Sequence, residues 1–307
     1  MALVAASPAK PTETTEQRCR HPLARSMADV KGAVTSLSVE MLDASDSPWP
    51  PAPWIGCDRA LSDPSFFSWW HMMVSQRLMR QYAPTQDRAT VPDRTTAGYV
   101  LRWYLVVPSY LGALLFHSTR RVPCLAPQQL GFRLDAAAVT GITLRPGRFW
   151  CLYSDPEAGH RDASPVAHEV ALGAILRQQV IAHAARFLAI YGPLVRFGCH
   201  AQWATVTDVL DKALLFAGQS FGSPQDGAAD AQLVLGSGEK PLTSSSTIRQ
   251  VIDDNGRAHW IRRRGTCCFL YAMPGVEQPC ASCPRVDAVK RSQILATVNH
   301  TQDICNS

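Results

Sequence analysis

The sequence predicts an α+β fold, in which a helix-rich body with a small β-sheet is followed by a compact cysteine-rich segment. Three observations support this prediction. Apolar residues recur at helical spacing in several long stretches, and a central stretch has the short, turn-bounded pattern of strands. Four of the ten cysteines fall within seventeen residues near the C-terminus. With 307 residues, 46% of them hydrophobic, the chain can bury a core of ordinary size.

We expect three parts along the chain. Residues 1–48 are rich in Ala, Ser, Thr and Pro, which predicts a loosely ordered extension with one short helix near 34–42. Residues 49–255 should form the α+β body, and residues 256–307 a C-terminal metal-binding domain. Consecutive prolines force an extended chain, so the Trp-Pro-Pro-Ala-Pro-Trp run at 49–54 marks the start of the body.

Helical spacing in the body predicts helices over 64–82, over 97–106 with a further helix to 116, over 166–191, and from 203 to a closing Gly218. The apolar run at 104–116 is shorter than the roughly 20 residues that a membrane-spanning helix needs. We therefore expect it to be a buried core element.

Strands are expected between these helices. The segments 131–134, 139–144 and 148–153 have strand composition and are separated by turn residues. The stretch 222–246 is rich in Gly, Ser and Asp and predicts a loop.

Charge and composition exclude some classes of function. A net charge of +5 is too mild to indicate nucleic-acid binding. The N-terminus lacks the basic start and apolar core of a signal peptide, which predicts a cytoplasmic protein with reduced thiols rather than a secreted disulfide protein.

The C-terminal cysteines indicate a metal centre. Cys267 and Cys268 are adjacent, and Cys280 and Cys283 form a Cys-x-x-Cys pair after an eleven-residue gap. Four thiolates satisfy one tetrahedral zinc ion or one [2Fe–2S] cluster. The spacing alone leaves zinc and iron–sulfur open, and a disulfide arrangement or chance remain further alternatives.

The doublet favours two irons over one zinc. Neighbouring side chains of an extended strand point to opposite sides of the backbone, so both thiols reach one ion only through a distorted turn. Two irons would let each cysteine of the doublet bind a different metal. His259 and His300 are candidates to replace a thiol in a zinc site, although such histidines are more often ordinary surface or core residues.

The residues flanking the cysteines resemble a known signature. Arg262–Tyr271 read RRRGTCCFLY, and Met273-Pro274-Gly275 and Cys280-Ala-Ser-Cys283-Pro284 follow. This sequence resembles the C-terminal segment of the FhuF-type ferric siderophore reductases, which carry a [2Fe–2S] cluster on a Cys-Cys, ten-residue gap, Cys-x-x-Cys pattern. The gap here is one residue longer, and the resemblance covers about 25 residues.

The resemblance implies a cytoplasmic oxidoreductase that transfers one electron to siderophore-bound Fe(III) and releases Fe(II) for iron assimilation. Cys267, Cys268, Cys280 and Cys283 would hold the cluster. The remaining cysteines would be dispensable; these are Cys19, Cys57, Cys124, Cys151, Cys199 and Cys305. Its partners would be a ferric siderophore, a ferredoxin or reductase as electron donor, and an inner-membrane uptake system by peripheral association.

Four further residues are candidates for substrate binding. Arg263 and Arg264 belong to a group of four arginines within eight residues, which suggests a positive rim for an anionic chelate or a plain solvated loop. His200 and Trp203 lie near the start of a helix, where they would line a cleft or serve in capping and packing. The alternative functions are a non-enzymatic protein whose four cysteines bind zinc and a siderophore-biosynthesis protein; the latter would need a nucleotide site, and no phosphate-loop motif is present.

Overall fold

The computed structural model describes residues 21–45, 47–84, 90–273, 275–276 and 278–297. Eight α-helices and nine short strands lie in these ranges, so the α+β fold with a helix-rich body is confirmed. The helices are α1 (Pro22–Ala33), α2 (Cys57–Ser62), α3 (Pro64–Tyr82), α4 (Asp93–Thr119), α5 (Glu169–Tyr191), α6 (Cys199–Ser220), α7 (Pro224–Leu235) and α8 (Ala288–Thr297).

The strands form three small sheets. They are β1 (Ser38–Met41), β2 (Trp54–Gly56), β3 (Val122–Pro123), β4 (Leu130–Asp135), β5 (Ala138–Leu144), β6 (Phe149–Leu152), β7 (Ala163–Val166), β8 (Arg249–Ile252) and β9 (Ala258–Ile261). One sheet has the order β1-β5-β4-β2, with β1 parallel to β5 and the other pairs antiparallel. A second has the order β3-β6-β7, and β8 and β9 form an antiparallel hairpin.

Helix α4 is the central element of the body. It is the one helix in the described ranges long and apolar enough to cross a membrane, but 83% of its most apolar window is buried inside the protein. The expectation of a buried core element is therefore confirmed. The two helices expected here are one, because α4 continues through Pro108. A proline inside a helix costs about 3 kcal/mol, which burial along the whole length of α4 offsets.

The N-terminal expectation is wrong for residues 22–41. In α1, Leu23, Met27 and Val30 recur at helical spacing and are buried in the main core. The short helix expected near 34–42 is instead strand β1, because Val39 pairs with Ile142 of the distant strand β5. Residues 1–20 lie outside the described residues.

A second correction concerns the stretch 222–246, which contains helix α7 rather than only loop. Its glycine and small residues serve a close helix crossing. A Cβ on Gly227 would lie 2.7 Å from the carbonyl oxygen of Leu214 and 2.9 Å from the Cα of Gly218. Gly218 therefore belongs to this contact, and α6 ends two residues later at Ser220 rather than closing at Gly218.

The other expected elements are confirmed with small shifts. Helix α3 has the expected bounds, and Asp63 caps it by accepting a hydrogen bond from the Ser65 amide at 3.0 Å. Helix α5 begins at Glu169 because Ala163–Val166 forms strand β7. Helices α4 and α6 pack along each other, and the β8–β9 hairpin leads the chain from this pair to the cysteines.

Candidate metal centre

The chain before the cysteine doublet is fixed to helix α6 by one buried carboxylate. Asp208 Oδ1 accepts a hydrogen bond from the Gly265 amide at 2.7 Å. Its Oδ2 accepts from the amide of Thr266 at 3.0 Å and from the Thr266 hydroxyl at 2.7 Å. The Arg262 guanidinium lies 3.7 Å from Asp208 Oδ1, and both side chains are buried. Because charge-assisted hydrogen bonds are the strong ones, Asp208 sets the position from which the doublet begins.

A second carboxylate, one helical turn further along α6, holds the segment that precedes the β8–β9 hairpin. Asp211 accepts hydrogen bonds from the hydroxyls of Ser246 at 2.6 Å and Thr247 at 3.0 Å. Burial raises the pKa of Asp211, and these hydrogen bonds oppose that rise. The Thr247 hydroxyl is shared between Asp211 and the carbonyl oxygen of Arg263, which lies 2.8 Å away. Two carboxylates three residues apart on α6 therefore anchor both ends of the hairpin.

The four thiols converge in two pairs. The thiol of Cys267 lies near that of Cys283, and the thiol of Cys268 lies near that of Cys280. All four are free thiols, Cys268 and Cys283 are 5% and 2% exposed, and Cys267 and Cys280 are half-buried. The two adjacent cysteines thus belong to different pairs, which is the arrangement that the doublet suggested.

The four sulfurs are spaced more widely than four thiolates bound to one zinc ion would be. A zinc ion with Zn–S bonds of about 2.3 Å would bring four thiolates within about 3.8 Å of one another. Among the described residues, the one group of three or more metal-binding side chains with all ligand atoms within 4.8 Å is His21, His160 and Asp162, far along the sequence from the cysteines. The cysteine sulfurs do not form such a group.

Hydrogen-bond donors point at the sulfurs. Arg264 Nη2 donates to Cys268 Sγ at 3.5 Å and to Cys280 Sγ. The Phe269 amide lies 3.4 Å from Cys267 Sγ, and the Ser282 hydroxyl 3.8 Å from Cys280 Sγ. Such donors stabilise negative charge on sulfur and raise the reduction potential of an iron–sulfur cluster.

The protonation of the pairs follows from these contacts. Contact with the Cys280 thiol lowers the pKa of Cys268 to about 3, with help from the guanidinium groups of Arg102 and Arg264 against the cost of burial. The same contact raises the pKa of Cys280. Burial alone would lower the pKa of Arg264, but the Cys268 and Cys280 charges and Asp208 raise it. The site therefore favours Cys268 as thiolate, which is the form that binds metal.

Arg291, on helix α8, fixes the Cys-x-x-Cys loop from the other side. Its guanidinium donates to the carbonyl oxygens of Ala281, of Cys283 at 3.3 Å and of Val286 at 2.6 Å. Arg291 is 2% exposed. Three backbone carbonyls on one guanidinium hold the turn in a fixed shape, so Arg291 positions the second cysteine pair.

A comparison with known protein families identifies the segment that contains the four cysteines. Residues 264–285 match the FhuF 2Fe-2S C-terminal domain. The resemblance noted in the sequence is thereby confirmed, and the cofactor of this segment is a [2Fe–2S] cluster. No curated protein matches the chain.

The residues of the segment fit a [2Fe–2S] cluster. Four free cysteines in two pairs supply the thiolates that a [2Fe–2S] cluster requires. Arg264 Nε is buried without a hydrogen-bond partner among the described atoms, which leaves a donor available for a further sulfur acceptor. Cys267, Cys268, Cys280 and Cys283 therefore stay the predicted ligands.

A cleft opens beside the cysteines, with a volume of about 350 Å³. Its walls come from α3, α4, β5 and α6, and Cys268 and Cys280 lie in its lining. The lining contains five cations, which are Arg77, Arg102, Lys212, Arg262 and Arg264, and no described carboxylate. The lining also contains five aromatic side chains, which are Tyr82, Tyr99, Trp103, Tyr110 and Phe216.

The structure places the four predicted substrate-binding residues in different environments. Arg264 is buried and lines the cleft together with Cys268 and Cys280. Arg263 is exposed and donates to the Pro284 carbonyl at 3.2 Å. His200 is exposed in the first turn of α6, and Trp203 packs partly buried against the core. Of these four, within the part of the chain described, only Arg264 lines the cleft.

The sequence reasoning missed Asp208, Arg102 and Arg291. Each is far from the cysteines along the chain or outside the matched segment, and each reaches the site through the fold. The one available signal was for Asp208 and Asp211, because two acids at i and i+3 in an otherwise apolar helix need buried partners.

Proposed function

We propose that this protein is a cytoplasmic [2Fe–2S] ferric siderophore reductase. It receives single electrons from a donor protein and passes them to Fe(III) in a siderophore, which then releases Fe(II). The observation that carries the proposal is the cleft beside the cysteines. Cys268 and Cys280 lie in the lining of a cavity of about 350 Å³, which is within the range of about 300–1,000 Å³ for small-ligand pockets.

The chemistry needs one electron and no bond cleavage in the chelator. Hard oxygen donors hold Fe(III) much better than Fe(II), so reduction loosens the metal. Each Fe(III) takes up one electron, and one electron from an external donor replaces it. When bound, the cofactor supplies the one-electron redox couple for this transfer.

The protein side chains set the conditions of the transfer. Arg264 lines the cleft and donates to the sulfurs of Cys268 and Cys280, where its charge stabilises the extra negative charge of the reduced state. Burial of Cys268 and Cys283 excludes water from the sulfurs and strengthens these interactions.

The side of Cys267 suits the electron donor, which we propose to be an acidic ferredoxin or reductase. Phe269 follows the doublet, and the guanidinium groups of Arg94 and Arg285 lie 5.8 and 5.9 Å from its ring centre. Arg285 also donates to the exposed Tyr271 hydroxyl at 2.8 Å. A basic, aromatic surface of this kind steers an acidic partner. Peripheral association with an uptake system at the inner membrane completes the proposed context.

The test begins with anaerobically purified protein. We expect two irons and two sulfides per chain and a red-brown colour. After reduction with dithionite and removal of the excess, mixing with a ferric chelate and a ferrous-specific chromogenic chelator should give one Fe(II) per reoxidised cluster.

A matched pair of variants checks the ligands. Cys283→Ser should lose the colour and the activity, whereas Cys199→Ser, at an exposed cysteine on α6, should keep both. A colourless wild-type protein with one zinc per chain would contradict the proposal in favour of a structural zinc site. Reoxidation of the cluster by ferric chelates without Fe(II) release would refute the proposed reaction.

A further inference from the structure

The cleft beside Cys268 and Cys280 has an unusual lining for a cavity of its size. Five cations and five aromatic side chains face it, and no carboxylate among the described residues does. Apart from the two cysteines, the charged side chains of the lining are all positive, and a lining of one charge sign concentrates ligands of the opposite sign. The lining therefore disfavours neutral and cationic ligands and favours anions with flat apolar faces.

Two of the cations are held in place by the aromatic rings of the same cleft. The Arg102 guanidinium lies 4.8 Å from the ring centre of Tyr99, and that of Arg77 lies 5.6 Å from the ring centre of Trp103. Arg77 also donates to the Ala136 carbonyl at 2.9 Å. Stacking orients a guanidinium without neutralising it. In the described part of the chain, neither Arg77 nor Arg102 has a carboxylate within ion-pair distance.

The inner end of the cleft differs from this rim. Arg262 is near Asp208, at 3.7 Å, and Arg264 donates to the sulfurs of Cys268 and Cys280. These two charges are used in holding the cysteine segment. The attraction for a ligand anion therefore comes mainly from the rim, where Arg77 and Arg102 are partly exposed.

We propose that this cleft binds the ferric complex of an aryl-oxygen chelator, a catecholate or phenolate, that carries net negative charge. This inference rests on the proposed function and names the substrate class of the same site. Catecholate oxygens leave each Fe(III) complex with excess negative charge, and each donor is part of an aromatic ring. Guanidinium groups pair with the anionic oxygens, and the partly exposed side chains of Trp103 and Phe216 provide apolar surface for the rings. A neutral trihydroxamate complex offers neither feature.

Binding can be measured separately from electron transfer, because Ga(III) forms complexes of the same charge as Fe(III) but is not reduced under these conditions. Two synthetic tripodal chelators on one scaffold serve as probes, a tris-catecholamide and a tris-hydroxamate. Their gallium complexes carry charges of −3 and zero. Equilibrium dialysis against the cluster-loaded protein, with gallium counted by mass spectrometry, gives both dissociation constants.

We expect the catecholate complex to bind at least tenfold more tightly than the hydroxamate complex, with affinity falling as salt is added. Arg77→Gln and Arg102→Gln should each weaken catecholate binding about tenfold, the equivalent of about 1.4 kcal/mol, and leave hydroxamate binding unchanged. Arg161→Gln is the matched control, because it removes the same charge from a side chain that is 89% exposed and outside the cleft lining.

Equal affinity for the two gallium complexes, or catecholate binding that Arg77→Gln and Arg102→Gln leave intact, would overturn the inference. Failure of the proposed function gives a different result. In that case the gallium catecholate still binds with the expected dependence on Arg77 and Arg102, but the dithionite-reduced protein releases no Fe(II) from any ferric chelate.

Discussion

Replacement of Asp208 by asparagine tests how the cysteine segment is held to the body. The substitution preserves the shape of the side chain and removes its charge. An amide has one acceptor oxygen, so the asparagine side chain can serve either the Gly265 amide or the two donors of Thr266, but not all three. Arg262 also loses the carboxylate that lies 3.7 Å from its guanidinium.

The magnitude follows from burial. Asp208 and Arg262 are each 5% exposed. Breaking a buried charge pair by removing one partner costs about 3–5 kcal/mol. The total stability of a domain is only about 5–15 kcal/mol, so Asp208→Asn should remove a large share of the stability of the region. Because the lost bonds are on the segment and not in the core of the body, we expect the segment to open before the body unfolds.

The assay uses two signals during one urea titration. Visible circular dichroism reports the cluster, and far-ultraviolet circular dichroism reports the helices. In the variant, the visible signal should be lost at a clearly lower urea concentration than the helical signal. Asp135→Asn, at an exposed position at the end of β4, is the matched control. If Asp208→Asn keeps both transitions within about 1 kcal/mol of wild type, the anchoring role of Asp208 is refuted.

Three further perturbations have defined outcomes. Arg264→Gln should lower the reduction potential of the cluster by about 60 mV or more, since about 59 mV is a factor of ten for one electron, and Arg264→Lys should lower it by less. A redox titration followed by electron paramagnetic resonance measures the potential. An unchanged potential would contradict the role of Arg264 in stabilising charge on the sulfurs. Arg291→Met should leave three carbonyls unpaired and speed cluster loss on mild heating, while Lys290→Met at a neighbouring exposed position should not. Burial lowers the pKa of His183 to about 4 from 6.5. Its contribution to the free energy of unfolding is therefore full above pH 6.5 and falls by about 3 kcal/mol as the pH drops to 4. His183→Gln should remove this pH dependence of urea unfolding, and an unaltered pH dependence would show that another group titrates.

The parts of the fold that depend on local sequence could be predicted. Helix α3 has a capping aspartate, a proline in its first turn and apolar residues at regular spacing, and its bounds were predicted correctly. The four cysteines, together with the flanking residues that resemble a known signature, predicted the cofactor because all of them lie close together in the sequence. Both cases need only interactions within a few turns of the chain.

The errors come from distant partners. Strand β1 forms because Val39 meets β5, which is about a hundred residues away in the sequence. Helix α7 has a weak apolar face, and it is stabilised by the glycine contact with α6 that only packing reveals. His200 was a plausible cleft residue by position, but the turn of α6 on which it lies is exposed. None of these outcomes has a signal in the neighbouring residues.

The residues of the cleft could not be predicted from the neighbouring sequence either. Arg77, Arg102 and Lys212 come from three different helices, and nothing in their separate contexts marks them as one site. A basic cluster was expected instead next to the doublet, where the arginines are adjacent in sequence. Of that cluster, Arg262 and Arg264 line the cleft but are mostly used in holding the segment, and Arg263 faces solvent.

Helix α6 connects the two halves of the proposed site. One of its faces carries Asp208 and Asp211, which hold the cysteine segment, and the neighbouring face carries Val209, Lys212 and Phe216, which line the cleft. The distance between the cysteines and a bound ligand is therefore set by the geometry of one rigid helix rather than by a loop. The segment supplies little core of its own, since its separate cluster of buried apolar residues contains only Cys283, Val286 and Ile294 among the described positions. A segment with so small a core depends on its metal and on the body for its structure, so loss of the α6 carboxylates should affect cofactor retention and cleft geometry together.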